Sequence, residues 1–186
     1  MRTFIAVEMP TDVKKVIGNY IDSIQGSFKG VKWVLPQNLH LTIKFLGEVK
    51  ESDLKNLSGC VEKAASDFSP FSIDLSNIGF FPSSKNLKVI WIGMDGGADN
   101  LPDLFQELEN FLENLGFDRE ARAFSPHLTI GRMKKKKKHK YHVNINPEEL
   151  PEFEPVEFYV KSIAIIKSTL TPQGPIYEKL YEGKLK

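Results

Sequence analysis

Apolar and polar residues alternate with period two in the opening segment RTFIAVEM. Phe4, Ala6 and Glu8 fall on one side and Ile5 and Val7 on the other, the pattern of a β-strand. After Pro10 the period changes. Val13, Val16, Ile17, Tyr20, Ile21 and Ile24 follow the i, i+3, i+4, i+7 spacing of one helical face. Thr11 is placed to cap this helix, and Gly26 to Gly30 end it. VKWV and LHLTIKFL read as two strands joined by a turn at Pro36-Gln37-Asn38. A second helix is predicted from about Ser52 to Asp67, with Leu54, Leu57, Val61, Ala64 and Phe68 on one side. FSIDLSNIGFF and LKVIWIGM are strands on either side of a polar turn at Pro82 to Asn86. A third helix runs from about Asn100 to Leu115 and stops at Gly116. HLTIGRM, EFYVKSIAIIKS and IYEKLYEGKL complete the strands.

This order predicts an α+β fold with about three helices. Each half holds a strand, a helix and then a strand that begins His-Leu-Thr-Ile, first at His40 and again at His127. Internal duplication is the simplest reading. It predicts two similar lobes, each a small, mainly antiparallel sheet with helices outside, around a cleft between the sheets. Within each motif strand, residues i and i+2 share a face. His40 and Thr42 therefore point one way and Leu41 and Ile43 the other; His127 and Thr129 oppose Leu128 and Ile130 in the same manner. The apolar pair anchors the strand, and the polar pair is left for the cleft.

Two imidazoles and two hydroxyls around one small volume suit a definite chemistry. With an unperturbed pKa near ~6.5, one histidine can accept a proton while the other donates one. Threonine hydroxyls donate hydrogen bonds to phosphate oxygens that gain charge in the transition state. That is in-line displacement at phosphorus without a metal. One His-x-Thr on a strand is usually ordinary surface polarity, so it is the repetition that carries the inference.

Composition narrows the classes. The chain has 186 residues, enough for one domain or two small lobes sharing a core. No apolar run approaches the ~20 residues of a membrane span, and the opening residues carry no long apolar signal region. A single cysteine, Cys60, forms no intrachain disulfide and reads as a packed thiol. A cytoplasmic protein is expected. The net charge of +1 hides an asymmetry, because Lys134 to Lys138 and Lys140 leave 19 of the 25 basic residues against 24 acidic ones. There is no phosphate-binding GxxxxGK[ST], no HExxH and no GxSxG, so no cofactor is expected. His139 and His142 stand three apart without an accompanying carboxylate or cysteine cluster, which argues against a metal site.

The stretches NLHLTIKFLGE (38–48) and SPHLTIGR (125–132) resemble the paired motifs of the 2H phosphoesterase superfamily. With RTFIAVE, VIWIG and KSTLTPQGPIYEKL (167–180), the chain looks like the RNA 2′,3′-cyclic phosphodiesterases, also called 2′-5′ RNA ligases, of archaea and bacteria. The resemblance spans nearly the whole length. It implies a single domain, 1–186, made of two intertwined lobes. It further implies opening of an RNA 2′,3′-cyclic phosphate to a 2′-phosphate, with a reverse, ATP-independent joining of tRNA-half-like ends. His40 would be the proton donor to the departing 3′ oxygen and His127 the proton acceptor that activates water. Thr42 and Thr129 would hold the non-bridging oxygens. The partner is then RNA with cyclic phosphate ends, such as tRNA fragments, and the protein a monomer.

Other positions admit two readings. Phe45 and Arg132 stand five residues after their histidines, so ideal alternation puts them on the opposite face. Either Gly131 and the strand end let Arg132 swing round, or it lies at the cleft rim. The family motif implies a phosphate contact, against a surface salt bridge. Phe45 stacks on a base or packs in the core. Ser168 and Tyr177 flank the hairpin loop at Thr171 to Pro175 and are candidate substrate contacts, since the family places this loop beside the cleft. Trp33 is a rim aromatic or core; Trp91, between Ile90 and Ile92, reads as structural. The lysine block is a solvated loop or an RNA-backbone contact. Two other functions stay open: a binding module for RNA ends, and a 2H enzyme acting on 2′-5′ oligonucleotides or on nucleotide-sugar cyclic phosphates.

Overall fold

The computed structural model describes residues 1–134 and 146–186. Among the described residues, nine strands form two sheets: β1 (Arg2–Glu8), β2 (Val31–Trp33), β3 (His40–Glu48), β4 (Phe71–Phe81), β5 (Val89–Gly96), β6 (Leu128–Met133), β7 (Val156–Val160), β8 (Ser162–Thr171) and β9 (Gly174–Lys184). The first sheet has the order β3-β1-β8-β9 and the second β2-β6-β5-β4-β7. Every pairing is antiparallel. The α-helices of the described residues are α1 (Thr11–Ile24), α2 (Leu54–Ser66) and α3 (Asn100–Glu113).

The predicted repeat is present as β1-α1-β3 and β5-α3-β6, each a helix linking two neighbouring antiparallel strands. The two halves exchange pieces. VKWV and LHLTIKFL are not a strand pair: β2 joins β6 of the second sheet, while β3 joins β1 of the first. EFYVKSIAIIKS is not one strand. The chain breaks at Lys161, leaving β7 on the second sheet and β8 on the first. Alternation of apolar residues marks the strands but carries no signal for which sheet each one joins.

The helices are seated by their apolar stripes. Val13, Ile17, Tyr20, Ile21 and Ile24 of α1 are buried, and Tyr20 donates its hydroxyl to the Pro151 carbonyl at 3.0 Å. Val16, expected on this face, is 39% exposed at its edge. Thr11 is the first helical residue rather than a side-chain cap; Pro10 precedes the helix with no capping bond. Leu57, Val61 and Ala64 of α2 and Leu101, Leu104, Leu108 and Leu112 of α3 are fully buried. Each such leucine contributes roughly 1.5–3 kcal/mol relative to exposure. Gly116, at φ 84°, follows α3 in the left-handed conformation that a residue without Cβ adopts at low cost.

β1 is buried on both faces. Ile5 and Val7 join the main core, while Phe4 and Ala6 form a second small cluster with Ala164 and Ile166 on the other face, packed against Tyr177. That second cluster is the floor on which the site is built. No described helix is long and apolar enough to cross a membrane.

Candidate active site

β3 and β6 approach one another between the two sheets. His40, Thr42 and Phe45 from the first motif line one cavity of about 630 Å³ with His127, Thr129 and Arg132 from the second. Leu41, Ile43, Leu128 and Ile130 are buried behind them, as alternation requires.

The position of Phe45 and Arg132 departs from simple alternation, and the cause is the same in both lobes. Ala6 pairs with Thr42 and Ile5 with Lys44, so Ile43 is an extra residue in β3. Trp91 pairs with Thr129 and Ile90 with Gly131, so Ile130 is an extra residue in β6. Each motif strand thus carries a β-bulge one residue after its threonine. Two successive residues then face inward: Ile43 with Lys44, and Ile130 with Gly131. The parity is reset, and the fifth residue after each histidine returns to the cleft. The bulge brings Arg132 round, rather than the strand end. Its Nη2 lies 3.4 Å from Thr129 Oγ1, and among the described residues it forms no ion pair. Phe45 is 63% exposed, so it is not a core residue; its ring lies 6.0 Å from that of Phe4.

The two imidazoles are held alike. His40 Nδ1 lies 2.7 Å from the carbonyl oxygen of Asn38, and His127 Nδ1 lies 2.9 Å from that of Ser125. A carbonyl only accepts, so Nδ1 carries the proton in each ring and Nε2 is the nitrogen left to exchange one. Their surroundings differ. His40 is half-buried, with its ring 4.7 Å from Phe4 and 5.2 Å from Tyr177. Burial pushes its pKa down, aided by Lys14 and Arg132 and opposed by the Asn38 hydrogen bond and Glu8. His127 is exposed, 6.4 Å from the Trp91 ring.

The bulges also expose a break in the repeat. The position after the extra residue is Lys44 in one lobe and Gly131 in the other. Gly131 leaves room for Trp33, whose Cε3 would lie 3.0 Å from a Cβ placed there. Lys44 is buried and ion-paired with Glu109 of α3, which is also buried. Lys44 Nζ donates to the Asp118 carbonyl at 2.8 Å, and the Glu120 amide donates to Glu109 Oε2 at 2.8 Å. This pair fastens the first motif strand to the segment leading into the second.

Tyr177 lines the cleft, and burial raises its pKa while Arg132 and Arg2 lower it. Ser168 is its partner across the β8–β9 hairpin but does not line the cavity. Trp33 packs edge-on against Phe28 at 5.4 Å, as core. Trp91 covers Gly79, where a Cβ would lie 2.1 Å from the indole. Cys60, half-buried, donates to the Phe111 carbonyl at 3.7 Å, and burial raises its pKa, as suits a packed thiol. Lys135 to Lys138, Lys140, His139 and His142 lie outside the described residues; Lys134 is exposed, and its amide donates to the Gly30 carbonyl. Among the described residues no group of three His, Cys, Asp or Glu is arranged to hold a metal.

Sequence reasoning missed Arg2, Glu120, Arg122 and Phe124, which line the same cavity, and Phe4, which supports the His40 ring. Arg2 and Phe4 could have been found, since they share a face of the first strand with Ala6. The segment from Glu120 to Phe124 is neither helix nor strand, so no periodicity marks it.

The family model described as LigT like Phosphoesterase matches twice, over residues 7–91 and 92–177. A Methanocaldococcus jannaschii protein named RNA 2′,3′-cyclic phosphodiesterase is 43% identical, over 98% of this chain and 99% of its own. A Thermotoga maritima protein of the same name is 38% identical over 98% and 94%. A Thermus thermophilus crystal structure superposes with a TM-score of 0.79 at 27% identity, covering 100% of this chain and 98% of that one. E. coli LigT complexed with 3′-AMP shares the fold, with a TM-score of 0.75 at 23% identity over 100% of this chain and 98% of its own. The doubled motif strand, the doubled bulge and the doubled family match have one origin: the chain belongs to the LigT-like phosphoesterases of the 2H superfamily.

Proposed function

We propose that this phosphoesterase opens RNA 2′,3′-cyclic phosphates to 2′-phosphate ends by metal-independent acid–base catalysis. The observation that carries the reading is the matched pair of imidazoles, each fixed through Nδ1 to a backbone carbonyl two residues earlier. Such anchoring sets both tautomers and orientations, and offers Nε2 of each ring to a phosphate bound between them.

In this reading His40 protonates the departing 3′ oxygen and His127 takes the proton of the attacking water. Burial lowers the His40 pKa in the free protein, so the proton it donates must be stabilised by the substrate. An anionic phosphodiester beside the ring does this, and it also offsets the Arg132 charge. Thr42 and Thr129 donate to the non-bridging oxygens, and Arg132 balances the charge that develops there. Phe45 offers an exposed ring to a base, and Tyr177 borders the ribose side.

In cleavage of a 2′-5′ linkage back to the cyclic phosphate the roles exchange; with a 5′-hydroxyl in place of water they are kept, His127 taking the hydroxyl proton and His40 protonating the departing 3′ oxygen. This gives an ATP-independent 2′-5′ joining of ends such as tRNA halves. Both motif strands belong to one chain, and strands are traded between the sheets, which favours a single domain over residues 1–186 acting as a monomer. An oligonucleotide ending in a 2′,3′-cyclic phosphate tests the reading: the product is a 2′-phosphate, and turnover survives a chelator. A 3′-phosphate product contradicts it, and faster cleavage of a 2′-5′ dinucleotide would favour a different substrate for the same site.

A further inference from the structure

Tyr177 belongs to two cavities. On one side it borders the catalytic cleft. On the other it borders a groove of about 540 Å³ between the turn Pro36–Asn38 and the β8–β9 hairpin. We propose that this groove is a nucleobase site that receives the base of the nucleotide carrying the cyclic phosphate. The proposal rests on the cyclic phosphodiesterase reading and adds to it the place where the terminal nucleoside sits.

The walls have the chemistry of a base site. Leu35 is 54% exposed and Ile176 60% exposed, and Pro175 lies beside them. Large apolar side chains at this exposure offer flat contact area to a planar ring. The carboxamides of Gln37 and Gln173 also line the groove and have no hydrogen-bond partner among the described residues. Each has both a donor and an acceptor to offer a base edge. The groove does not suit a phosphate. Its cation, Lys179, is committed to Glu8 at 2.6 Å, and the Glu8 carboxylate repels an anion.

The groove is also coupled to the catalytic histidine. Asn38 accepts from His40 Nδ1 through its carbonyl and donates from Nδ2 to the Pro175 carbonyl at 3.0 Å. One residue therefore sets both the imidazole and the hairpin tip. Glu8, which lines the groove, is the register partner of His40. If the 3′ oxygen leaves toward His40, the ribose that bears it lies on the His40 side, and its base continues past Tyr177 into the groove. Phe45 pairs with Phe4 toward the other end of β1, as a platform for a different base.

The test compares wild type with the double variant Gln173→Ala/Ile176→Ala, which alters two exposed or groove-lining positions outside the catalytic residues. Two substrates are used: a nucleoside 2′,3′-cyclic phosphate, and 1-O-methylribose 2′,3′-cyclic phosphate, which lacks the base. The expected result is a KM about ten-fold higher for the nucleoside substrate, with unchanged kcat, an unchanged KM for the baseless substrate and an unchanged melting temperature. Equal KM values for wild type and variant on the nucleoside substrate would overturn the proposal. So would a KM rise of the same size on the baseless one, which would mean that the hairpin shapes the phosphate site instead. Wild-type protein that opens neither substrate would overturn the cyclic phosphodiesterase reading itself, and so is distinguishable from failure of the groove alone.

Discussion

Ile43 and Ile130 are the extra residues of two matching β-bulges, each one position after the threonine of its motif. Because of them, Phe45 and Arg132 face the same cavity as His40 and His127. The bulged ladder is therefore part of the site, and the residues it redirects should affect binding more than folding.

Arg132 is the first such residue. Arg132→Ala should raise KM for a cyclic phosphate and weaken inhibition by inorganic phosphate by ~10-fold or more, with little change in thermal stability. Arg132→Lys should restore only part of the loss, since a point charge cannot reproduce a bidentate fork. Steady-state kinetics with phosphate as inhibitor measures both. Unchanged phosphate inhibition in Arg132→Ala would make this arginine a surface residue.

Phe45 should behave as a binding aromatic. Its exposure means that Phe45→Ala opens no cavity, so the melting temperature should hold. Stacking on a base contributes about 1–3 kcal/mol, equivalent to roughly a 5- to 150-fold rise in KM for an oligonucleotide. A marked fall in stability would instead assign the ring to packing against Phe4.

The strands, the helices and the two motifs were legible in the sequence because each is a local periodicity. His40, Thr42, His127 and Thr129 could be placed on cleft faces from alternation alone. What was not legible is what depends on pairing register. A bulge is one unpaired residue, and LTIKF and LTIGR look regular until their partners in β1 and β5 are known. For the same reason the sequence carries no sign that β2 pairs with β6 or that EFYVKSIAIIKS divides into β7 and β8. Lys44 gave no signal, because a lysine in a strand is ordinarily exposed, and the Glu109 that compensates it lies on a helix 65 residues away.

The Lys44–Glu109 pair gives a stability prediction. Lys44→Met or Glu109→Gln alone leaves a buried charge without its partner, which typically costs about 3–5 kcal/mol. Lys44→Met combined with Glu109→Leu removes both charges and should recover most of that loss. Denaturant unfolding of the three variants measures it. Additive losses in the double variant would show that the two side chains do not act as a pair.

His40 should titrate differently from an ordinary imidazole. His40 should titrate below ~6.5, because burial and the nearby Lys14 and Arg132 charges disfavour its cation. Arg132→Gln should move it upward, and so should bound phosphate. Where the unfolded chain has taken a proton that folded His40 refuses, stability falls as pH drops below ~6.5, and the loss levels off below the folded pKa. His40→Gln should remove that component. Titration of the His40 ring protons by NMR, with and without phosphate, checks the shift; a midpoint above ~6.5 in the free protein would contradict it.

The central claim is that His40 and His127 act together as proton donor and acceptor on a cyclic phosphate. The most direct measurement is the pH–rate profile for opening a nucleoside 2′,3′-cyclic phosphate, under conditions where chemistry limits the rate. Wild type is compared with His40→Ala and His127→Ala, each verified as folded. The account predicts a bell-shaped profile for wild type, a loss of at least ~10²-fold in each variant, and one titration limb missing from each. Near-wild-type turnover in either variant, or a wild-type rate that stays flat across the histidine range, would contradict it.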